Sequence, residues 1–294
     1  MTGSEGRHVL ITGGAGQLAQ ASAPAFAVRG WEVTALDIDE MDIRDRDLVF
    51  ATVRALRPQV VLNLAALRDA DECEVDVANA WATNDTAVHT LADACTDVGA
   101  HLTTISSDYV FDGDHDVPYV ETDPAHPLSV YGETKLASES VVEQGFTAVR
   151  TAWLAGRRGA NTIKTMLRLA ADPDQAIAFV NDQTGSPTVA EDLAPVLERL
   201  SAERRPGVYH VTNQGQASWY ELACHVLASA GHDPARMGSI TTAELDPPRA
   251  AARPAYSVLD NAGLRRAGIS ALPDWRDAVR RLVEDLMEDR GYLR

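Results

Sequence analysis

The fold is decided near the start of the chain by the stretch HVLITGGAGQLA, residues 8–19. The apolar run His8–Thr12 predicts a buried strand, and the alanine-rich segment Gln20–Val28 predicts a helix. Between them, Gly13 permits a tight turn, and Gly16 lets the backbone approach a pyrophosphate at the helix N-terminus. A strand, a glycine turn and a helix in this order are typical of dinucleotide binding. The residues predicted to bind a dinucleotide here are Gly13, Gly16, Gln17 and Leu18.

A second strand, predicted over Trp31–Leu36, is followed by an acidic residue that bears on the choice of cofactor. Asp37 follows the glycines by about 20 residues, the spacing at which a carboxylate contacts the adenosine ribose hydroxyls of a dinucleotide. Because that carboxylate would repel a 2′-phosphate, we expect NADH rather than NADPH. Arg44 and Arg46 lie nearby in the sequence and leave the choice open.

A third buried strand is predicted over Gln59–Asn63. Ala65 and Ala66 follow it, and their small side chains leave room for a cofactor to lie across the strand end. Asp42 and Ile43 are predicted to form a turn against the adenine, since aspartate favours such turns. We therefore expect all four residues to contact the cofactor.

Two further stretches of the sequence suggest a site for proton transfer. Strand Leu102–Ile105 delivers Ser107, and a helix is predicted over Val130–Gln144. In that helix Tyr131 and Lys135 lie one turn apart on the same face. An adjacent ammonium favours the phenolate, so we expect Lys135 to lower the pKa of Tyr131 towards neutrality and to prepare it for proton transfer. The pattern is specific in this chain, which has only two lysines among 26 basic residues.

Three other segments are expected to flank these residues. A helix is predicted over Val77–Val98, on which Asn84 either orients the lysine, tethers a water, or lies on the surface. Residues 111–129 lack periodicity and are predicted to form a loop beside the site. The strand predicted over Thr147–Trp153 ends at Trp153, which is expected either to form an apolar wall for a sugar ring or to lie in the core.

Strands alternate with helices through the first half of the chain, which predicts an α/β fold with a Rossmann-type, doubly wound parallel sheet. Later strands are predicted at residues 176–180 and 207–212. Later helices are predicted at residues 190–200, with an N-terminal cap, and at residues 218–230. The alternation then weakens. We therefore predict a dinucleotide-binding domain over residues 1–160, with later contributions from about 186–213, and a smaller substrate-binding lobe over most of 161–294.

Composition narrows the class of protein. The formal net charge of −17 over 294 residues argues against nucleic-acid and anionic-membrane partners. Met1–Glu5 shows no leader pattern and no apolar run is long enough to span a bilayer, so a cytoplasmic protein is expected. Cys73, Cys95 and Cys224 have neither disulfide nor metal-ligand spacing and are expected to be buried. We assign no metal ligands, and an oligomer is left open.

Several longer blocks together resemble one family. They are Ile11–Leu18, Ser106–Gly113, Val130–Ala137, Arg150–Trp153, Gly185–Thr188 with Glu191–Ala194, Ser218–Glu221, Arg253–Pro254 and Ser257–Asp260. In this combination the chain resembles the dTDP-4-dehydrorhamnose reductase family of the extended short-chain dehydrogenase/reductase superfamily. The resemblance runs nearly end to end, and the block around Ser107 is its most diagnostic part.

The resemblance implies that NADH or NADPH reduces the 4-keto group of a dTDP-4-keto-6-deoxyhexose, in the step that forms dTDP-L-rhamnose. Tyr131 would be the general acid and Ser107 would polarise the ketone. Tyr131 and Lys135 would also contact the cofactor, Lys135 at the nicotinamide ribose. The residues expected around the nucleotide sugar are Arg68, Asp108, Tyr109, Trp153 and Arg253, the last of these at the diphosphate.

The chain departs from the family pattern at positions that face the substrate. Ser107 stands where the family usually has threonine, which keeps the hydroxyl. Leu67 and Arg68 stand where tyrosine and threonine are usual. These two changes leave the identity of the sugar, and of its nucleotide, open.

Two alternatives share the fold and part of the motifs. One is a dinucleotide-binding regulatory subunit that resembles the beta subunit of methionine adenosyltransferase and reduces nothing. The other is a nucleotide-sugar epimerase or dehydratase. A dehydratase commonly needs two consecutive acids after the hydroxyl residue, whereas here Asp108 is followed by Tyr109.

Overall fold

The structure is a computed structural model that describes residues 6–172 and 174–289. Met1–Glu5, on which the expectation about a leader was based, lie outside the described residues. Within those two ranges, each helix is too short or too polar to cross a lipid bilayer.

A central sheet of six parallel strands organises the protein, in the order β10-β5-β4-β3-β1-β2. The strands are β1 (His8–Thr12), β2 (Glu32–Leu36), β3 (Val60–Asn63), β4 (His101–Ser107), β5 (Thr147–Thr151) and β10 (Gly207–His210). Strands β1, β3 and β5 are buried along their whole length, as parallel strands covered on both faces must be. The predicted α/β class with a Rossmann-type parallel sheet is confirmed.

Among the described residues, six further strands form three small pairs outside this sheet. They are β6 (Leu154–Ala155) with β9 (Thr188–Val189), β7 (Ile177–Val180) with β12 (Met237–Ile240), and β8 (Thr184–Gly185) with β11 (Ala217–Ser218). The predicted strand at residues 176–180 therefore exists but does not extend the main sheet. Its partner β12 comes from the C-terminal third, a pairing that local sequence does not encode.

Eleven α-helices occur among the described residues. They are α1 (Gln17–Val28), α2 (Arg46–Leu56), α3 (Ala70–Val75), α4 (Val77–Trp81), α5 (Ala87–Val98), α6 (Val130–Ser138), α7 (Thr162–Ala170), α8 (Ala190–Ala202), α9 (Trp219–Ser229), α10 (Ala262–Arg266) and α11 (Trp275–Glu288). Helices α1 and α8 pack together on one face of the sheet, and α2 and α5 on the other. The sheet is thus doubly wound.

A separate apolar cluster lies in the second half of the chain, where α7, α9 and α11 pack around β7 and β12. Trp275 is fully buried at its centre. Strand β10 and helix α8 belong instead to the main sheet and its covering layer. The assignment of this second cluster as a substrate-binding lobe stays a prediction.

The helix predicted over residues 77–98 is interrupted by a π-helical turn, Ala82–Thr86. Such a turn inserts one residue into the helix and turns a side chain inward. That side chain is Asn84, which is fully buried rather than on the surface. Its amide bonds the backbone N–H and C=O of Leu67, each at 2.9 Å, and the hydroxyl of Thr134 at 3.2 Å. Asn84 therefore holds the segment after β3 against α6, and it makes no hydrogen bond to Lys135.

Other element ends also differ from the sequence-based prediction. The helix predicted over 130–144 becomes 3₁₀-helical after Ser138, and strand β5 ends at Thr151 rather than at Trp153. Helix α8 begins after Val189, whose side chain cannot cap it, so the predicted cap is wrong. Helix α9 does begin with a capping box between Ser218 and Glu221.

A buried ion pair links α6 to the sheet. Glu139, just after α6, accepts two hydrogen bonds from the guanidinium of Arg150 on β5, at 2.6 and 2.8 Å. The hydroxyl of Ser106 on β4 donates to the same carboxylate at 2.5 Å. Both charged side chains are less than a tenth exposed. The pair therefore fixes the C-terminal end of α6 against the two strands that end at the cavity described below.

Replacing Glu139 tests this link. We expect Glu139→Ala to lower the free energy of unfolding by about 3 to 5 kcal/mol, because it leaves the Arg150 guanidinium buried without its partner. Urea unfolding followed by circular dichroism measures the loss. The control is Arg199→Ala, which breaks an exposed pair with Glu203 and should cost less than about 1 kcal/mol. Equal, small losses in both variants would contradict the structural role of the buried pair.

Candidate active site

One cavity of about 780 Å³ opens at the carboxyl ends of the central strands. Every residue that the sequence analysis assigned to a site lines it. They are Gly13, Gly16, Gln17, Leu18, Asp37, Asp42, Ile43, Ala65, Ala66, Arg68, Ser107, Asp108, Tyr109, Tyr131, Lys135, Trp153 and Arg253. Ligands of open α/β sheets bind at this edge, so the cavity is the candidate active site.

The glycine turn is shaped for a close approach by a ligand. Gly13 has φ +66°, and a side chain there would lie 2.9 Å from the backbone nitrogen of Ala65. Gly16 is the N-cap of α1 and provides no side-chain cap, so the first amides of the helix are left without a side-chain acceptor. Free amides and the helix dipole together favour an anion. This turn therefore fits the diphosphate of a dinucleotide.

Asp37 lies at the end of β2, where it closes the glycine turn. Its two carboxylate oxygens accept hydrogen bonds from the backbone amides of Ala15 at 2.6 Å and Ile38 at 2.7 Å. The carboxylate is thus held at the cavity wall, and it keeps further acceptor capacity for ribose hydroxyls.

The arginines near Asp37 are both engaged by carboxylates. Arg44 forms an ion pair with Asp42 at 2.7 Å and donates to the side chain of Asn79 at 2.7 Å. Arg46 pairs with Asp93 on α5 at 3.1 Å and does not line the cavity. Both charges are thus partly neutralised by a neighbouring carboxylate, although each guanidinium keeps further N–H donors.

A chain of buried polar side chains fixes the floor beneath the turn. The hydroxyl of Thr12 donates to Asn63 at 2.6 Å, and the Asn63 amide donates to Thr104 at 3.1 Å. The Thr12 hydroxyl also accepts from the backbone amide of Ala65 at 3.3 Å. These bonds hold the ends of β1, β3 and β4 in register. Sequence reasoning missed Asn63 as part of the cavity, because an asparagine ending a strand has no distinctive signal.

Ser107 and Asp108 form a hydrogen-bonded unit at the end of β4. The Ser107 hydroxyl donates to Asp108 at 2.9 Å, and the hydroxyl of Ser257 donates to the other oxygen of Asp108 at 2.6 Å. Burial raises the pKa of Asp108 to about 6, although both serine hydroxyls lower it. The Asp108 carboxylate therefore interacts with two serines, which connect β4 to the C-terminal segment.

Tyr131 and Lys135 share the cavity wall, but their pKa values differ from the prediction. Burial raises the pKa of Tyr131, with a smaller lowering by the Ser107 hydroxyl and a further rise from the charge of Asp108. Burial also lowers the pKa of Lys135 to about 8, partly offset by Glu139. The expected lowering of the tyrosine pKa is therefore wrong, because desolvation of the phenol outweighs its neighbours. Tyr131 is protonated at neutral pH.

Two tryptophans form an aromatic part of the cavity wall. Trp153 and Trp219 stack with ring centroids 3.8 Å apart and planes 10° apart, and both line the cavity. Trp153 has φ +46°, a strained value for a bulky residue. Gly185 lies directly against its ring and leaves no room for a side chain. Trp219 was part of a quoted motif but was given no role, since the stack joins segments distant in sequence.

Arg253 is held by a carboxylate across the cavity mouth. Its guanidinium donates to both oxygens of Asp71 on α3, at 2.8 and 3.0 Å, and its side chain is 15% exposed. This pairing lowers the pKa of Asp71 to about 2. Burial and the charge of Asp108 raise the pKa of the neighbouring Tyr109 to about 12. Arg253 thus reaches the cavity as part of a pair, and its predicted role at a diphosphate stays a prediction.

The raised pKa of Asp108 has a consequence for stability. Between pH 4 and 6 the folded chain holds a proton on Asp108 that the unfolded chain has lost, so stability falls as pH rises through this range. We expect the difference in unfolding free energy between wild type and Asp108→Asn to fall by about 2 to 3 kcal/mol over that interval. Urea unfolding at each pH measures it. A difference that stays constant from pH 4 to 7 would show that Asp108 titrates normally.

Comparisons with known proteins identify the family of this chain. The family model described as "RmlD substrate binding domain" matches residues 7–288. A dTDP-4-dehydrorhamnose reductase of Streptomyces griseus is 42% identical over 280 residues, which cover 92% of this chain and 91% of the relative. A probable dTDP-4,6-dihydroxy-2-methyloxan-3-one 4-ketoreductase of Streptomyces antibioticus is 39% identical over 285 residues, 95% of each chain.

Solved structures give the same result. The crystal structure of the dTDP-4-dehydrorhamnose reductase of Bacillus anthracis in complex with NADP superimposes with a TM-score of 0.91 at 33% identity. The match covers 95% of this chain and 99% of that one. The resemblance found in the sequence motifs is confirmed, and the chain belongs to the dTDP-4-dehydrorhamnose reductase family.

Proposed function

We propose that this protein uses a reduced nicotinamide dinucleotide to reduce the 4-keto group of a dTDP-4-keto-6-deoxyhexose, and that the sugar is dTDP-4-dehydrorhamnose. The product would be dTDP-L-rhamnose. The observation that carries the proposal is the meeting of Ser107, Tyr131 and Lys135 in the same cavity as the glycine turn of α1. Relatives named as reductases of such 4-keto sugars, 39% to 42% identical over almost the whole chain, support it.

The bound dinucleotide supplies the hydride that reduces the carbonyl carbon. The residues of the chain handle the carbonyl oxygen. Tyr131 is protonated at neutral pH because its pKa is raised, so its phenol is in the form that donates a proton. The Ser107 hydroxyl, which donates to Asp108 in this structure, would turn its single proton to the carbonyl oxygen and hold it beside the phenol. Lys135, with a pKa of about 8, can return a proton to the phenolate after each turnover.

The glycine turn and the ends of the central strands would hold the cofactor. The amides of Gln17 and Leu18 at the start of α1 suit its diphosphate, and Ala65 leaves room for its bulk. We propose NADH as the preferred cofactor, because the Asp37 carboxylate lies at the end of β2 and Arg44 is already paired. The relative from Bacillus anthracis was crystallised with NADP, so the preference needs a direct test.

The stacked Trp153 and Trp219 would form the apolar wall for the sugar. An aromatic face packs well against the hydrophobic face of a deoxysugar ring. The family pattern is altered at Arg68, and relatives with different names act on different 4-keto sugars. A comparison of several dTDP-4-keto-6-deoxyhexoses in one assay would therefore identify the sugar.

The removal of one hydroxyl tests the proton donor. We expect Tyr131→Phe to lower the turnover of dTDP-4-dehydrorhamnose by at least a hundredfold and to leave NADH binding unchanged, because only the proton donor is lost. NADH oxidation at 340 nm reports turnover, and NADH fluorescence reports binding. Tyr209→Phe, on β10 and outside the cavity, is the matched control and should be fully active. Unchanged turnover in Tyr131→Phe would exclude Tyr131 as the acid.

The same assay separates the alternatives. An epimerase would convert the sugar without net consumption of NADH, and a regulatory subunit would bind the dinucleotide without converting any sugar. Failure of the wild-type protein to oxidise either NADH or NADPH with every 4-keto sugar tested would therefore contradict the proposed reductase function.

Exchange of the acid at the end of β2 tests the cofactor preference. We expect wild type to have a higher kcat/KM with NADH than with NADPH, and Asp37→Ala to reduce that ratio about tenfold, since a 2′-phosphate is no longer repelled. Steady-state kinetics with both cofactors measures the ratio. Asp39→Ala removes an equal charge two residues away, outside the cavity lining, and should leave it unchanged. A wild type that strongly prefers NADPH would show that the proposed preference is wrong.

A further inference from the structure

The cavity contains one cation that stands apart from the others. Among the described residues, the lining cations Arg44 and Arg253 each pair with a carboxylate, and Lys135 is buried. Arg68 is exposed, and its guanidinium makes one hydrogen bond, to the carbonyl oxygen of Ala160 at 3.3 Å. No described carboxylate forms an ion pair with it. Its charge is therefore available to a ligand in the cavity.

The anchor points of Arg68 place it near the start of α1. Its neighbour Leu67 is fixed by the buried Asn84, through both the backbone N–H and C=O. The contact with Ala160 lies in the segment that follows β6, and the preceding Gly159 packs against Gln17. Arg68 thus extends from the end of β3 to the segment beside the first residue of α1.

The same segment is tied to the helix start by side-chain bonds. The amide of Gln17 donates to the carbonyl of Leu154 at 3.1 Å, and the side chain of Asn161 donates to Gln17 at 3.4 Å. Contacts around Gln17, the first residue of α1, therefore connect the glycine turn to residues 154–161, and Arg68 contacts the same segment at Ala160. A group bound at those amides would lie within the field of a guanidinium whose charge no protein carboxylate neutralises.

We infer that Arg68, expected from the sequence at the nucleotide sugar, instead binds the diphosphate of the dinucleotide cofactor from the β3 side. The guanidinium offers several donors in a planar array that matches phosphate oxygens, which threonine, the usual family residue at this position, cannot. Arg68 thus adds a positive charge where the turn itself provides only backbone amides. The inference rests on the proposed use of a dinucleotide, but not on the identity of the sugar.

Binding of NADH to Arg68→Ala tests the inference. The dissociation constant, measured by NADH fluorescence and by calorimetry, should rise about tenfold, because a charge-assisted contact is lost. The dissociation constant of ADP-ribose, which retains the diphosphate but lacks the nicotinamide, should rise by the same factor. Arg68→Lys should lose less affinity than Arg68→Ala. Arg280→Ala removes the same charge from the exposed face of α11 and should bind NADH as wild type does. Circular dichroism verifies that each variant is folded.

A second ligand distinguishes the two diphosphates that the cavity would receive. Binding of dTDP, which represents the substrate, should be unchanged in Arg68→Ala. Weaker dTDP binding with normal NADH binding would overturn the inference and assign Arg68 to the sugar nucleotide. Unchanged binding of both ligands would overturn it as well. These outcomes are independent of turnover, so they differ from the failure of the reductase assay described above.

Discussion

The geometry of the cavity depends on one buried ion pair, between Glu139 and Arg150. Burial of two charges is costly unless each is fully hydrogen-bonded, and here Ser106 completes the carboxylate's partners while His210 contacts the guanidinium. The pair joins α6 to strands β4 and β5. Because α6 carries the phenol and the ammonium while β4 carries the serine, this pair holds the two halves of the catalytic group together at the C-terminal end of α6. At the other end of the same helix, Gly132 lies in close contact with the backbone of Tyr109, which follows β4.

The parts of the site that local sequence encodes could be predicted, and the parts made by distant contacts could not. A glycine turn between a strand and a helix, or a tyrosine four residues before a lysine, has a spacing that fixes its own geometry. Asp71 and Arg253, in contrast, are 182 residues apart, and Asp108 and Ser257 are 149 apart. Nothing in either local sequence indicates the partner. The tryptophan stack was missed for the same reason.

The error in the tyrosine pKa has a related origin. Sequence spacing identified the nearest cation, but the pKa of a group also depends on how completely the surrounding protein excludes water. That quantity is a property of the whole fold. In this cavity it raises the pKa of the phenol, lowers that of the lysine and raises that of Asp108, so desolvation acts on all three in the direction of the neutral form. Burial therefore moves the pKa values of Lys135 and Asp108 closer to neutrality and moves that of Tyr131 further from it.

The π-helical turn at Ala82–Thr86 has a consequence for how this fold tolerates length changes. The turn stores one residue more than a regular helix of the same rise requires, and each residue of an α-helix turns the following chain by about 100°. A one-residue deletion there would straighten the helix and withdraw Asn84 from Leu67, while the apolar face of α5 could stay packed on the sheet. A deletion elsewhere in α5 would rotate that face out of the core. At this turn, a change in chain length could therefore remove the contact of Asn84 with Leu67, in the segment after β3, without unfolding the domain.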